Sequence, residues 1–287
     1  MLTISRVIHR ILQKMVGGLS LPIILAEYFR SSTGKDYGVG FRTKTRLLLK
    51  VRKNTRRITT ASHFLEHMIM ATQILKVSPS IEGCVVECGS FKGGSTANLS
   101  LVCSLCRRDL EVFDSFEGLP EPAAADRTHV LVGVQEIHTY EKGAWRGSLA
   151  EVKSNVSRFG DLAVCNFNVG YFEQTLPQFH KRCVLAFLDV DLTESLRTCL
   201  KYLWPLLRGG CCVFTHEAHH MEVAALFFDP PWWRQNLDCA APGLIGAGTG
   251  LGLQPGTGGF HSALGYTVKN PEVLEFVVNP QTGESDP

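Results

Sequence analysis

The sequence predicts an α/β fold: a mostly parallel sheet with helices on both faces, preceded by an N-terminal helical extension. Three observations predict it. Beyond residue 80, apolar runs and helical patterns follow in the order strand, helix, strand, long connection, strand, strand, helix, strand, helix. Runs such as Val184-Leu185-Ala186-Phe187-Leu188 are apolar at every position, as strands covered on both faces are. A glycine-bearing turn, Gly89 to Gly94, follows the first such run. With 287 residues, 45% of them hydrophobic and 20% charged, the chain is long enough for one full core. Residues 1–79 read as a helical and basic extension, a lid or oligomer contact, and residues 80–287 as the main domain.

At the N-terminus, Ile4, Val7, Ile8, Ile11, Leu12 and Met15 recur at helical spacing with Arg6, His9, Arg10 and Lys14 between them. This pattern predicts an amphipathic helix and lacks a signal-peptide layout. The run Leu19 to Leu25 is shorter than the roughly 20 apolar residues a bilayer span takes. From Arg42 to Arg57 the chain carries Arg42, Lys44, Arg46, Lys50, Arg52, Lys53, Arg56 and Arg57 without one acidic residue. A solvated basic face is the plainer reading; an anionic substrate or a membrane surface is the sharper one.

Strands are expected at Cys84–Cys88, Leu110–Phe113, Ala163–Asn168, Val184–Asp189 and Cys211–Thr215. Between Leu192 and Leu207, the stripe Leu196, Leu200, Leu203 and Leu207 marks a helix that Gly209-Gly210 ends. Residues 242–259 are dominated by glycine and read as a loop, either a lid over substrate or a link to last strands around Ala263–Val268 and Leu274–Val278. A net charge of +2 gives no overall drive toward nucleic acid. The ten cysteines are scattered, and Cys84, Cys88, Cys211 and Cys212 fall in apolar runs as free thiols do, which points to a reducing, cytoplasmic setting. Cys103-Ser-Leu-Cys106 has the gap of half a zinc site but no second pair follows.

The segment Val85-Val86-Glu87-Cys88-Gly89-Ser90-Phe91-Lys92-Gly93-Gly94-Ser95 carries the strongest functional signal. Gly89 suits the turn leaving a strand, while Gly93 and Gly94 let backbone and ligand approach closely and leave amide donors free at a helix start. Glu87 at the entrance would repel a pyrophosphate and attract an ammonium and a sulfonium. S-adenosylmethionine therefore fits better than NAD, and the spacing is not GxGxxG. The second strand ends at Asp114, where a Rossmann-type domain places the carboxylate that accepts ribose hydroxyls. Glu87, Gly89, Ser90, Gly93, Ser95, Asp114 and Ser115 are thus the expected donor-binding residues, with a turn-forming aspartate as the plain alternative for Asp114.

A second cluster is expected at the same sheet edge. Asp189 closes one strand and His216-Glu217 close its neighbour, so Asp189, His216 and Glu217 can converge on one divalent metal beside the methyl donor. Such a metal would bind a substrate hydroxyl, lower its pKa and fix it in line with the sulfonium methyl. Asp189, His216 and His261 are the candidate catalytic residues, with His219 and His220 as further candidates for a general base. Asp191 is either a partner in this cluster or the cap of the helix that follows.

Several blocks, taken together, resemble the macrocin and mycinamicin O-methyltransferases, S-adenosylmethionine-dependent enzymes that methylate sugar hydroxyls of macrolides. They are the glycine segment above, Phe113-Asp114-Ser115-Phe116-Glu117-Gly118-Leu119-Pro120, Gly170-Tyr171-Phe172-Glu173-Gln174-Thr175-Leu176-Pro177, and Asp189-Val190-Asp191-Leu192. The resemblance runs from about Thr60 to Glu217. It implies a Rossmann-like class I methyltransferase fold, a bound magnesium ion, a small-molecule acceptor of sugar or polyketide type and a homo-oligomer. The family's metal motif, Asp-Gly-Asp-Leu-Tyr followed by an Asp-Asp pair, is altered here: Val190 replaces the glycine, Thr193 the tyrosine, and His216-Glu217 the pair. Imidazole is a poor ligand for magnesium and a better one for manganese, iron or zinc, so manganese or another ion stands as the alternative. The altered pair also leaves a catalytically silent binding module as a second reading, and a nicotinamide oxidoreductase as a third that Glu87 opposes.

Overall fold

The computed structural model describes residues 15, 21–22, 24–130, 137–246 and 264–270. A six-stranded sheet runs in the order β5-β2-β1-β6-β7-β8, where β1 is Cys84–Cys88, β2 Leu110–Asp114, β5 Cys165–Val169, β6 Cys183–Leu188, β7 Leu207–Thr215 and β8 Gly265–Val268. All neighbours are parallel except β8, which runs antiparallel to β7. A separate antiparallel pair joins β3, Thr128–Val130, to β4, Ile137–Thr139. The α-helices from residue 41 onward are α1 (Phe41–Asn54), α2 (Phe64–Lys76), α3 (Gly94–Cys106), α4 (Leu149–Phe159), α5 (Phe172–Thr175), α6 (Thr193–Leu203), α7 (Met221–Leu226) and α8 (Pro230–Leu237).

β1 and β6 are buried at every position, which is why their sequences do not alternate. Val85, Val86, Phe113, Phe187 and Phe214 join Leu47 and Val51 of α1 and Met68, Met70 and Ile74 of α2 in one continuous core. Each such side chain contributes roughly 1.5–3 kcal/mol by leaving water. The chain leaves β1 toward β2 on one side and returns to β6 on the other, so the strand order reverses between them. Ligands of open α/β sheets gather at that point, outside the strands' C-terminal ends. Here the ends are Gly89 and Asp189, tied by the hydrogen bond from Asp189 N to Cys88 O at 2.9 Å.

Two expectations are corrected. The helix after Asp191 ends at Leu203, and Leu207, Gly209 and Gly210 lie inside β7. Pro205 lacks the N–H that another helical turn needs, so the leucine stripe is interrupted before its last member. The helix cap is the other. α6 has Leu192 at its N-cap, which gives no side-chain bond, and its first amides donate to Asp126 instead: Thr193 N to Oδ1 at 2.9 Å and Glu194 N to Oδ2 at 3.1 Å. His261, most of the glycine-rich loop and the expected strand Leu274–Val278 lie outside the described residues, as does all of the expected N-terminal helix but Met15. In the basic segment Lys44 is buried and donates to Arg30 O at 2.8 Å, while Arg42, Arg46, Lys50, Arg52, Lys53, Arg56 and Arg57 are exposed. Among the described residues no helix is long and apolar enough to cross a membrane.

Candidate active site

A cleft opens at the C-terminal ends of β1, β2 and β6. Gly89, Ser90, Ser95, Asp114 and Ser115 line it together with Asp189 and His216, so the two clusters expected from sequence face one space. Gly89 has φ +87°, and a Cβ there would run into the carbonyl oxygen of Asp189. Only glycine lets β1 and β6 close at this end. Asp114 organises the turn: its Oδ2 accepts from Ser90 N at 2.7 Å and Ser90 Oγ at 2.9 Å, and its Oδ1 accepts from Phe116 N at 2.7 Å. These bonds fill Oδ2 and leave one acceptor site on Oδ1 for a hydroxylated ligand.

Two expected donor residues lie elsewhere. Gly93 is the N-cap of α3 in the left-handed region and faces Val152. Glu87 is fully buried under the turn and is not among the cleft residues. Neither of its carboxyl oxygens meets a hydrogen-bond partner. Burial pushes its pKa up to about 8, with the Ser95 and Thr96 hydroxyls offsetting this in part, so much of it is neutral near pH 7.

The remaining wall comes from two blocks of the family resemblance, Gly118-Leu119-Pro120 and Tyr171-Phe172, and from residues that sequence reasoning did not single out: Thr59, Thr60 and Ala61 after α1, Trp145 and Ser195. The latter five have no common motif and are united only by the fold. Phe91, Trp145 and Asp191, all on the cleft, have positive φ of 46°, 57° and 59°. Strained backbone of this kind persists where surrounding packing holds a site in one shape.

Behind the cleft lies a buried charged group. His216 Nδ1 is 3.4 Å from Asp189 Oδ1, and His216 Nε2 is 3.3 Å from Glu66 Oε2. Glu66, on α2, is fully buried and escaped the sequence reading; its Oε2 also accepts from His63 N at 2.6 Å in a capping box. Burial would push His216 down, but the carboxylates of Asp189 and Glu66 outweigh it and hold the imidazole well above its ordinary value. Burial likewise opposes ionisation of Asp189 and Glu66, and the adjacent His216 holds both low. Glu217 is raised well above the ordinary range by burial and then by Asp189 and Asp191. Its Oε2 accepts from Thr215 Oγ1 at 2.9 Å, while Oε1 is buried with no hydrogen-bond partner. Asp189, His216 and Glu217 each offer one ligand atom within 4.8 Å of the others. Crowded carboxylates, an orphaned oxygen and an imidazole at that spacing suit a divalent cation, which would take the place of the proton on the His216 nitrogen that ligates it. His219 and His220 are buried beside the group, with His220 Nε2 3.4 Å from Tyr140 OH.

The chain shares its fold with the O-methyltransferase NovP, at 18% identity, 81% coverage of each chain and a TM-score of 0.50. The calicheamicin methyltransferase CalS11 aligns over 78% of this chain and 92% of its own at 18% identity and TM-score 0.48. TomG from Streptomyces achromogenes, an O-methyltransferase of tomaymycin synthesis solved with S-adenosylmethionine, aligns over 78% and 90% at 13% identity and TM-score 0.43. No curated protein matches the chain by sequence. Residues 60–229 match the macrocin O-methyltransferase (TylF) family, a span that holds the glycine turn, Asp114 and the whole Asp189–Glu217 cluster. The chain belongs to that family and is an S-adenosylmethionine-dependent O-methyltransferase.

Proposed function

We propose that the protein methylates a hydroxyl of a small natural product of sugar or polyketide type, with the Asp189–His216–Glu217 cluster assisting through a divalent metal. The observation that carries this reading is the shared cleft: the Ser90–Asp114 turn and Asp189 with His216 face the same space. In this reading Gly89, Ser90, Ser95 and Ser115 surround the donor and Asp114 accepts its ribose hydroxyls. A metal at Asp189, His216 and Glu217 supplies Lewis-acid chemistry, lowering the pKa of the acceptor hydroxyl. Asp189 is only 22% exposed at the side chain and His216 6%, so a hydroxyl reaching them leaves most of its water behind. Phe91, Trp145, Tyr171 and Phe172 give the cleft an apolar rim suited to a ring-bearing acceptor. The family name, that of a macrocin methyltransferase, favours the same acceptor class.

The test is calorimetric titration with S-adenosylmethionine, then methyl transfer to a library of hydroxylated natural products with and without chelator. The expected result is donor binding and chelator-sensitive transfer to a sugar or polyketide hydroxyl. Transfer confined to another acceptor class, or insensitive to chelator, counts against the reading.

A further inference from the structure

We propose that Glu66 acts as a positioning residue that makes the cluster select a first-row transition-metal ion over magnesium. The inference rests on the metal-assisted reading above and adds to it the identity of the ion. His216 carries it. An imidazole nitrogen is a good ligand for manganese, iron, cobalt or zinc, whereas magnesium prefers an octahedron of oxygens and keeps several waters. A histidine ligand needs its other ring nitrogen engaged, so that one tautomer is present and the ring is aimed. Glu66 meets that need: its Oε2 faces His216 Nε2 at 3.3 Å, which leaves Nδ1 on the side of Asp189, 3.4 Å from Oδ1.

Glu66 is itself held fast. It is fully buried, and the backbone N–H of His63 donates to the same Oε2 at 2.6 Å. The rings of His216 and Phe187 also stand edge to face, with centroids 6.4 Å apart at 83°. Glu217 completes the donor set, one oxygen tied to Thr215 and the other buried without a partner. Two carboxylates and one oriented imidazole favour a borderline ion. The carboxylate on α2 makes the imidazole a stronger ligand than a freely turning one would be.

The experiment uses the full chain stripped of metal by chelator and titrated calorimetrically with manganese and, separately, magnesium, with cobalt as a spectroscopic probe of nitrogen ligation. Wild type should bind manganese at least about tenfold more tightly than magnesium, and cobalt should show a visible band that His216→Ala abolishes. Glu66→Gln, which keeps shape and an acceptor but loses the charge, should weaken manganese by about 10- to 100-fold. Magnesium affinity and donor affinity should hardly move in that variant. Magnesium binding as tightly as manganese overturns the inference, as does Glu66→Gln with unchanged manganese affinity. If that variant does not fold, the wild-type manganese-to-magnesium ratio decides. Chelator-insensitive methyl transfer by wild type would instead overturn the metal-assisted reading, so the two failures are distinguishable.

Discussion

Asp126 caps helix α6 from 67 residues away: its carboxylate accepts from Thr193 N at 2.9 Å and from Glu194 N at 3.1 Å. Asp126 is buried and belongs to the segment between β2 and β3, so one side chain joins that segment to the helix carrying Ser195 of the cleft wall. Replacing it leaves one buried and one half-buried amide without acceptors and removes a negative charge from a helix N-terminus. Asp126→Ala should cost about 1–2 kcal/mol in denaturant unfolding, with faster amide exchange confined to the first turn of α6. Uniform exchange, or no loss of stability, would count against the capping role.

Asp114 does two tasks at once. It gathers Ser90 and Phe116 around one carboxylate and has one acceptor site on Oδ1 to spare for a ribose hydroxyl. Asp114→Ala should weaken S-adenosylmethionine binding by about 1.5–3 kcal/mol, roughly 10- to 100-fold in dissociation constant. Asp114→Asn should also weaken it, because the amide NH2 must then face the N–H of Ser90 or of Phe116. Calorimetry on both variants checks this, and an affinity unchanged in either speaks against the ribose assignment.

Two glycines with similar backbone angles should respond very differently to alanine. Gly89 has φ +87° and its missing Cβ would strike the Asp189 carbonyl, whereas Gly143 has φ +78° with nothing within 4 Å. Gly143→Ala bears only the left-handed penalty, about 1–2 kcal/mol. Gly89→Ala must also part β1 from β6 at the cleft, for a total of about 3 kcal/mol or more. Melting temperatures measured side by side decide; equal losses would mean the contact at Asp189 is not what demands glycine.

The sheet was legible because strands buried on both faces announce themselves as unbroken apolar runs, and the expected and observed bounds of β1 and β2 agree closely. The glycine turn was legible for a local reason, a sharp change of direction at Gly89. Asp189, His216 and Glu217 could be assembled from strand ends alone, since topology brings neighbouring strand ends together. Glu66 could not. It lies on a helix with no site pattern, its capping partner is His63 instead of serine or threonine, and its contact with His216 spans 150 residues. Asp126 was hidden for the same reason, and Asp191, its nearer rival in sequence, turned instead into a left-handed residue on the cleft wall.

Glu87 supplies a pH test of what lies under the turn. It is completely buried, and burial pushes its pKa up from 4.5 to about 8. Between those values the native protein retains a proton that the unfolded chain has released, so the native state binds more protons and stability must fall as pH rises. The contribution is fully present below about pH 4.5 and is gone above about pH 8, with a slope of at most about 1.4 kcal/mol per pH unit. Glu87→Gln cannot ionise and should lack this decline. Unfolding curves for the two proteins should therefore diverge steadily from pH 5 to pH 8, the variant becoming the more stable at the upper end. Parallel curves would mean that Glu87 ionises in the native state as readily as in the unfolded chain.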